Sequence, residues 1–386
     1  MKKTRWIAGA MALTLLAGCS SAADPNDLAY QTADVKRDSE LLTVDGVGVP
    51  AEEYLFWLSN AIYQEKNYGG LADDSAWEET LWDGSNTTEA LKADALETTK
   101  FYQVVRNKAK ELGLTLSEEQ QAQSQADLED VKTQLGSDEA YQEWLDNYCI
   151  SADGISALND VYYLSLALRD RLEADGALAV TQEDLDTFME EEGVYAAKHI
   201  LISTRRLNEA GTAYEELPAE EKAAAFLKAQ DLRQQLRDGG DSEELFDTLM
   251  AEYSEDGRLE DGTLSSPDGY TYICRNWMVP EFEEGAMALK VGEISEPIES
   301  TYGYHIILRI EPDMEMVESE CDKDYKYDRM IQTWMDEAEV TTTKAYDELD
   351  PHDFYVRLQA VLQARQDAQD ILKSDESAAP SESAAN

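Results

Sequence analysis

The chain has 386 residues, enough for two or three domains of roughly 100–200 residues each, and 43% of them are hydrophobic. It carries 81 acidic and 32 basic side chains, which give a formal net charge of −49 at pH 7. Such a charge repels nucleic-acid backbones and anionic lipid surfaces, and it favours cationic partners. The composition therefore argues against nucleic-acid binding and against electrostatic docking on a membrane.

The N-terminus, residues 1–18, has the pattern of a secretion signal: a positively charged end precedes a short apolar run over 7–16. The run ends in Leu16-Ala17-Gly18-Cys19, which resembles the cleavage box of bacterial lipoproteins. The resemblance implies that Cys19 becomes the acylated first residue and anchors the mature chain to the lipid membrane. The alternative is an ordinary signal peptide followed by an unrelated cysteine.

Three further cysteines are Cys149, Cys274 and Cys321. Three cysteines cannot all form disulfides with one another. A hydrophobic core of this size does not need a disulfide for stability, so we expect none. None of the three has the spacing of metal ligands. The sequence therefore indicates neither a metal site nor a cofactor.

Next in the chain, residues 19–40 are polar and aperiodic, which predicts a tether. A hairpin is predicted over 41–50, with Asp45-Gly46 at its turn. Apolar residues then recur at helical spacing, which predicts the first part of a helical domain over 41–193. Ser117 is a predicted N-cap within it.

The pattern changes at residue 194. Strand patterns over 194–202, 293–299 and 304–310 enclose helical patterns and an irregular, glycine-rich stretch before Trp277. This order, β-α-α-α-β-β, predicts a compact α/β domain over 194–312.

After this domain, residues 313–372 return to helical spacing and predict the second part of the helical domain. Residues 373–386 are rich in Ser, Ala, Pro and Glu, which predicts a disordered tail. The predicted fold class is α+β, with the α/β domain inserted in a mainly helical one.

Five segments within the α/β domain carry a resemblance to a known family; they are 195–202, 253–256, 277–284, 289–297 and 302–307. In order and in content they resemble the landmarks of parvulin-type peptidyl-prolyl cis/trans isomerases, over nearly the full domain. The flanking helices look like those of the PrsA/SurA class of extracytoplasmic foldases. The resemblance implies a small antiparallel sheet with surrounding helices, inserted in a helical chaperone domain.

The residue types suit the chemistry of that family. Rotation about an amide bond costs about 18–20 kcal/mol because resonance is lost, so X–Pro bonds isomerise slowly unaided. No bond is made or broken, and neither a nucleophile nor a metal is needed. A catalyst needs a dry pocket for the proline ring and polar groups fitted to the twisted amide.

The resemblance implies that Met278, Phe282 and Tyr270 form the proline pocket, with Tyr270 where the family usually has leucine. For Met278 and Phe282 the alternative is an ordinary place in the core. The resemblance also implies that His199 and His305, on the first and last strands, share a hydrogen-bond network behind the pocket. Their role is either direct catalysis or positioning of the sheet.

Asp256 stands at the family's cysteine-or-aspartate position beside the twisting bond, which implies an electrostatic role; the alternative is an ordinary surface aspartate. Ser300 replaces the common threonine and keeps a hydroxyl group for the histidine pair. Residues 266–270 replace the usual glycine-aspartate-leucine-glycine run, so the pocket rim departs from the family. Arg205 and Arg206 follow the first strand, where some parvulins bind a phosphate, and we favour solvated loop arginines instead.

Two functional hypotheses follow. The first is a lipid-anchored prolyl isomerase at the outer face of the cell membrane, which helps exported proteins with X–Pro bonds to fold and has a helical cradle for extended clients. Some aromatic side chains of the helical part are candidates for client contact, although most are expected in its core: Tyr54, Phe56, Trp57, Tyr102, Trp144 and Tyr148. The second hypothesis is a non-catalytic holdase with a degenerate parvulin domain. The sequence leaves open whether the helical parts form a homodimer.

Overall fold

A computed structural model describes residues 27–68, 71, 74–81, 84–208, 210 and 212–378. The predicted signal peptide over 1–18 and Cys19 lie outside the described residues. The chain divides into two compact units, one formed by Met1–Arg171 with Ile331–Asn386 and the other by Leu172–Met330. The second unit is therefore inserted, in sequence, between the two segments of the first.

The first segment of the first unit has a short helix and a hairpin, followed by longer helices. Its elements are α1 (Leu28–Ala33), β1 (Glu40–Val44), β2 (Val47–Pro50), α2 (Ala51–Tyr68), the 3₁₀ helix Asp74–Glu78, α3 (Thr87–Glu111), α4 (Glu118–Leu135), α5 (Asp138–Asn147) and α6 (Ala152–Ala174). The hairpin turn at Asp45-Gly46 is confirmed, because both residues have the positive φ values that a tight turn requires. Ser117 is confirmed as the N-cap of α4, since its side chain accepts a hydrogen bond from the Gln120 N–H.

Helix α1 lies where the sequence predicts a tether over 19–40, and this is a correction. Its first two residues are buried, and its C-terminal end is fixed by Arg357. The guanidinium of Arg357 donates a hydrogen bond to the Thr32 carbonyl at 3.1 Å and pairs with Asp34 at 2.8 Å. Helix α1 has only 6 residues, too few to show a helical periodicity in the sequence. A helix this short depends on tertiary contacts for its stability.

The second unit, with the helix that leads out of it, contains the sheet of the α/β domain. Its elements are α7 (Gln182–Glu191), β3 (Tyr195–Ser203), β4 (Arg205–Leu207), β5 (Tyr214–Glu216), α8 (Ala219–Asp238), α9 (Glu243–Tyr253), β6 (Tyr270–Ile273), α10 (Pro280–Met287), β7 (Ile298–Glu299), β8 (Gly303–Ile310), α11 (Met314–Glu320) and α12 (Lys323–Glu337). Strands β6, β3, β8 and β7 pair in that order, and every pairing is antiparallel.

Strand β3 lies inside this sheet and is covered on both faces. On one face Ile200, Ile306 and Leu308 pack against residues of α8 and α9. On the other, Ala197 and Ile307 pack against residues of α10. Successive side chains of a strand point to opposite faces, so nearly all of β3 is buried.

Two strand predictions need correction. The strand predicted over 293–299 is reduced to β7 at its end, and Pro297, which has no N–H to donate, stands directly before it. The stretch predicted to be irregular before Trp277 contains the edge strand β6. Gly269 makes this strand possible: its φ is +79°, and a Cβ there would lie 2.8 Å from the Ala197 carbonyl oxygen.

The chain then returns to the first unit with β9 (Val340–Thr342), α13 (Lys344–Glu348) and α14 (Pro351–Ala378). Strand β9 pairs with β1, so the sheet β2-β1-β9 joins the two segments of this unit. Helix α14 extends to Ala378 and so enters the region predicted as a tail over 373–386, which is a correction to that prediction. None of the described helices is both long and apolar enough to span a membrane.

Candidate active site

Two histidines meet on neighbouring strands of the α/β domain. In the register of β3 and β8, His199 lies opposite Ile307 and Leu201 lies opposite His305. The histidines are therefore diagonal neighbours on the sheet face that packs against α10. Their Nδ1 atoms are 3.0 Å apart, and their ring planes differ by 14°. Both side chains are buried, with 7% of His199 and 4% of His305 exposed. The first and last strands, β3 and β8, are therefore direct neighbours, as a hydrogen-bond network shared by the two histidines requires.

Asp256 follows the end of α9, and hydrogen bonds from the two residues before it to strand β3, here called the Ser254 clamp, place it beside His199. The hydroxyl group of Ser254, itself buried, accepts a hydrogen bond from the Leu201 N–H at 3.1 Å and donates one to the His199 carbonyl at 3.3 Å. The Glu255 N–H donates to the Leu201 carbonyl at 2.8 Å. This clamp fixes the loop against β3, and Asp256 Oδ2 lies 3.0 Å from His199 Nε2.

Tyr270 and Ser300 close the two ends of this polar chain. The Tyr270 hydroxyl donates a hydrogen bond to Asp256 Oδ2 at 2.6 Å. Ser300 Oγ lies 2.7 Å from His305 Nε2 and accepts a hydrogen bond from the Tyr302 N–H at 3.1 Å. Hydrogen bonds thus link Tyr270, Asp256, the two histidines and Ser300 in sequence.

One assignment of protons satisfies the whole chain. The carboxylate of Asp256 only accepts, so the proton of a neutral His199 is on Nε2. Nδ1 of His199 then accepts from the Nδ1–H of His305, and Nε2 of His305 accepts from the Ser300 hydroxyl. This tautomer assignment is inferred from the hydrogen-bond network.

Electrostatics agree with this assignment. Burial lowers the pKa of His305 from 6.5 to about 3, and the adjacent His199 acts in the same direction. The hydrogen bond from His199 lowers the pKa of Asp256 below its usual 3.8, against the effect of burial, and the Tyr270 hydroxyl adds to this. Burial raises the pKa of Tyr270, so its hydroxyl keeps its proton. At neutral pH the site therefore contains a carboxylate and a neutral His305.

An apolar wall lies beside the polar chain. Helix α10 begins at Pro280, a residue favoured at the first helical position, and it places Phe282 edge-on to both imidazole rings. The ring centroid of Phe282 is 5.2 Å from that of His199 and 5.4 Å from that of His305. Met278 and Tyr270 are partly buried and pack on the same cluster. Together these side chains form an apolar surface next to the carboxylate.

The predicted site residues within the described chain lie together; they are His199, Asp256, Tyr270, Met278, Phe282, Ser300 and His305. Sequence reasoning missed two contacts, the Ser254 clamp and the hydroxyl bond of Tyr270. The latter joins residues 14 positions apart, on separate elements, so no local pattern reveals it. Arg205 and Arg206 lie on β4 instead of in a loop, and Arg206 pairs with Glu221 at 3.0 Å.

The site contains two buried, hydrogen-bonded histidines on adjacent antiparallel strands, with a carboxylate and an apolar wall beside them. These features are those of the class of parvulin-type peptidyl-prolyl cis/trans isomerase domains. Residues 199–311 match the Rotamase family model, described as a PPIC-type PPIASE domain. The chain therefore contains a domain of this family.

Relatives of the chain have names from the same class. It is 32% identical to the foldase protein PrsA of Oceanobacillus iheyensis over 155 residues, and this alignment covers 40% of this chain and 42% of that protein. It is 34% identical to the chaperone SurA of Chromohalobacter salexigens over 110 residues, and this alignment covers 28% of this chain and 21% of that protein. A crystal structure of the peptidylprolyl isomerase PrsA from Bacillus cereus aligns with a TM-score of 0.32 and 18% identity, over 84% of this chain and 99% of that chain. The chain spans less than half the length of the curated relatives it matches.

The depressed pKa of His305 predicts a dependence of stability on pH. Since its pKa falls from 6.5 to about 3 on folding, the unfolded chain binds a proton in this window that the folded chain does not. Stability is therefore lost as the pH falls below the unfolded value, by at most about 1.4 kcal/mol per pH unit from this group. We expect His305→Asn to lack this contribution.

Urea unfolding of both proteins near pH 7 and at about pH 5.5 measures the effect. The free energy of unfolding should fall more steeply with acidification in the wild type than in the variant. An equal fall in the two proteins would contradict the buried, neutral state of His305.

Proposed function

We propose that residues 194–312 catalyse the cis/trans isomerisation of X–Pro bonds, and that the whole protein is a foldase for exported proteins. The observation that carries this proposal is the hydrogen-bonded chain from Tyr270 to Ser300, with its carboxylate beside the apolar wall. The names of the relatives, foldase and chaperone, support the same function.

In the proposed mechanism the proline ring packs against Met278 and Phe282, and the amide before it lies beside Asp256. Amide resonance places negative charge on the carbonyl oxygen, and this charge separation gives the C–N bond its double-bond character. A fixed negative charge next to that oxygen disfavours the charge-separated form and hence eases rotation. Each 1.4 kcal/mol by which this charge narrows the free-energy gap between the planar and the twisted amide increases the rate about tenfold.

The histidines serve as positioning residues in this mechanism. Both are buried, and His199 contributes the Nε2–H that orients the Asp256 carboxylate at 3.0 Å. His305 orients His199 in turn, and Ser300 orients His305. Between direct catalysis and positioning, the burial of both rings supports positioning.

The helical unit is the proposed holder of extended clients. Tyr54 and Phe56 are buried in its core. Trp144 and Tyr148, however, line a cleft of about 530 Å³ together with Tyr63 and other side chains of α2, α5 and α14. A cleft of this size, lined by several aromatic side chains as well as polar ones, suits large side chains of an unfolded segment. The net charge of −49 favours cationic segments among the clients.

Acylation of Cys19 is the proposed anchor, on the outer face of the cell membrane. Two acyl chains give stable membrane binding, whereas one gives marginal binding. We expect Cys19→Ser to move the protein from the membrane fraction to the soluble extracytoplasmic fraction and to abolish incorporation of labelled palmitate. Labelling that persists in the variant would contradict the assignment.

The catalytic proposal is tested by the rate of isomerisation of an X–Pro peptide series with the purified protein. We expect Asp256→Ala and Met278→Ala each to lower kcat/KM by about 10- to 100-fold, the equivalent of about 1.4–2.8 kcal/mol of transition-state stabilisation. Matched controls are Asp261→Ala, an exposed aspartate of the same loop whose side chain accepts hydrogen bonds from Thr263, and Met287→Ala, an exposed methionine of α10. Both controls should retain the wild-type rate.

The outcome separates the two functional hypotheses. Turnover by the wild type that is lost in Asp256→Ala and Met278→Ala, and kept in both controls, supports the isomerase. Absence of turnover in the intact protein, with aggregation of an unfolded client still suppressed, favours the non-catalytic holdase.

A further inference from the structure

Tyr270 carries a polar group at a position where the parvulin resemblance implies leucine, and that group bonds to Asp256. We propose that Tyr270 is a positioning residue whose hydroxyl fixes the orientation of the Asp256 carboxylate, while its ring forms part of the proline pocket. This inference rests on the proposed isomerase function, and it assigns a second role to a side chain otherwise counted only as an apolar wall.

Two hydrogen-bond donors meet at one oxygen atom of Asp256. Asp256 Oδ2 receives the Tyr270 hydroxyl at 2.6 Å and faces His199 Nε2 at 3.0 Å. The two donors come from different strands, β6 and β3, so together they restrict rotation of the carboxylate more than either does alone. Asp256 lies in a loop and about a third of its side chain (33%) is exposed, and with His199 alone it would have a single side-chain anchor among the described residues.

The Tyr270 hydroxyl is itself held in place by the strand that carries it. In the register of β6 and β3, Tyr270 lies opposite Ala197, and the close approach at Gly269 sets this pairing. The Tyr270 ring packs on the apolar cluster of α10 and lies 5.7 Å, centroid to centroid, from the His199 ring. The hydroxyl is therefore preorganised toward Asp256, and little conformational entropy is lost when it binds there.

The electrostatic environment of Asp256 agrees with this geometry. The titratable groups that act on Asp256 come from each neighbouring strand: His199 from β3, Tyr270 from β6 and His305 from β8. The Tyr270 hydrogen bond lowers the pKa of Asp256. A leucine at this position would pack against a proline ring but would leave the carboxylate without this donor.

The test separates the hydroxyl group from the ring. Tyr270→Phe keeps the ring and removes the hydroxyl, so kcat should fall about five- to tenfold while KM stays within about twofold. Tyr270→Leu should show the same fall in kcat, because it too lacks the hydroxyl. The matched control is Tyr272→Phe on the same strand, whose hydroxyl contacts the Cys274 thiol instead, and it should keep the wild-type kcat.

A double-mutant cycle distinguishes positioning from a general structural role. If the hydroxyl acts through Asp256, Tyr270→Phe should change kcat by less than about twofold in an Asp256→Ala background. Multiplicative losses in the double variant would overturn the inference, as would wild-type kcat in Tyr270→Phe or Tyr270→Leu.

A readout without turnover keeps this inference distinct from the proposed function. The chain has only 3 histidines, so the ring nitrogen resonances of His199 can be assigned by NMR. Tyr270→Phe should shift the His199 Nε2 resonance and leave that of His352 unchanged, and Tyr272→Phe should shift neither. If the wild type does not catalyse isomerisation, the proposed function fails, and the NMR result still decides the positioning role. An unshifted His199 resonance in Tyr270→Phe would overturn it.

Discussion

The buried hydrogen bond between His199 and His305 is the interaction on which the rest of the site depends. Two polar rings inside an apolar sheet face are tolerated only if their nitrogens are satisfied. The 3.0 Å contact between the Nδ1 atoms meets this condition, and it requires the β3–β8 register as it is. A slip of one residue would turn either histidine to the opposite face of the sheet. Fold and site are thus specified by the same strand pairing.

From that pair the site extends in two directions. In one direction, the buried His305 bonds to His199, and His199 bonds to the more exposed Asp256. The partly exposed carboxylate is therefore held by hydrogen bonds that begin in the buried interior of the sheet. Toward Ser300, the hydroxyl and the Tyr302 N–H end the chain in a turn that precedes β8. Met278 and Phe282 belong to the apolar cluster beside this polar chain. In the proposed mechanism a proline ring packed on them would displace water and strengthen the effect of the carboxylate charge on the adjacent amide.

Much of this could be predicted from sequence, and the exceptions have physical causes. The strands bearing the histidines have long alternating or apolar patterns, so the strands themselves were predictable, and their pairing was implied by the resemblance to the parvulin family. Strand β6 was missed because four residues give little pattern and a glycine with positive φ precedes them. Helix α1 was missed because its partner, Arg357, is hundreds of residues away in the chain. The Tyr270–Asp256 bond was missed because its residues meet only after β6 joins the sheet. Local patterns were thus sufficient where a segment is long, and insufficient where a distant partner determines the structure.

The most direct test of the account is the tautomeric state of the histidine pair, read from the ring nitrogen chemical shifts by NMR at about pH 8, well above the ordinary histidine pKa. We expect a neutral His305 with its proton on Nδ1, and we expect His199 to carry a proton on Nε2, facing the Asp256 carboxylate. A neutral His199 with its proton on Nδ1, or a His305 with its proton on Nε2, would contradict the account, because the chain from Asp256 to Ser300 could not then form as described.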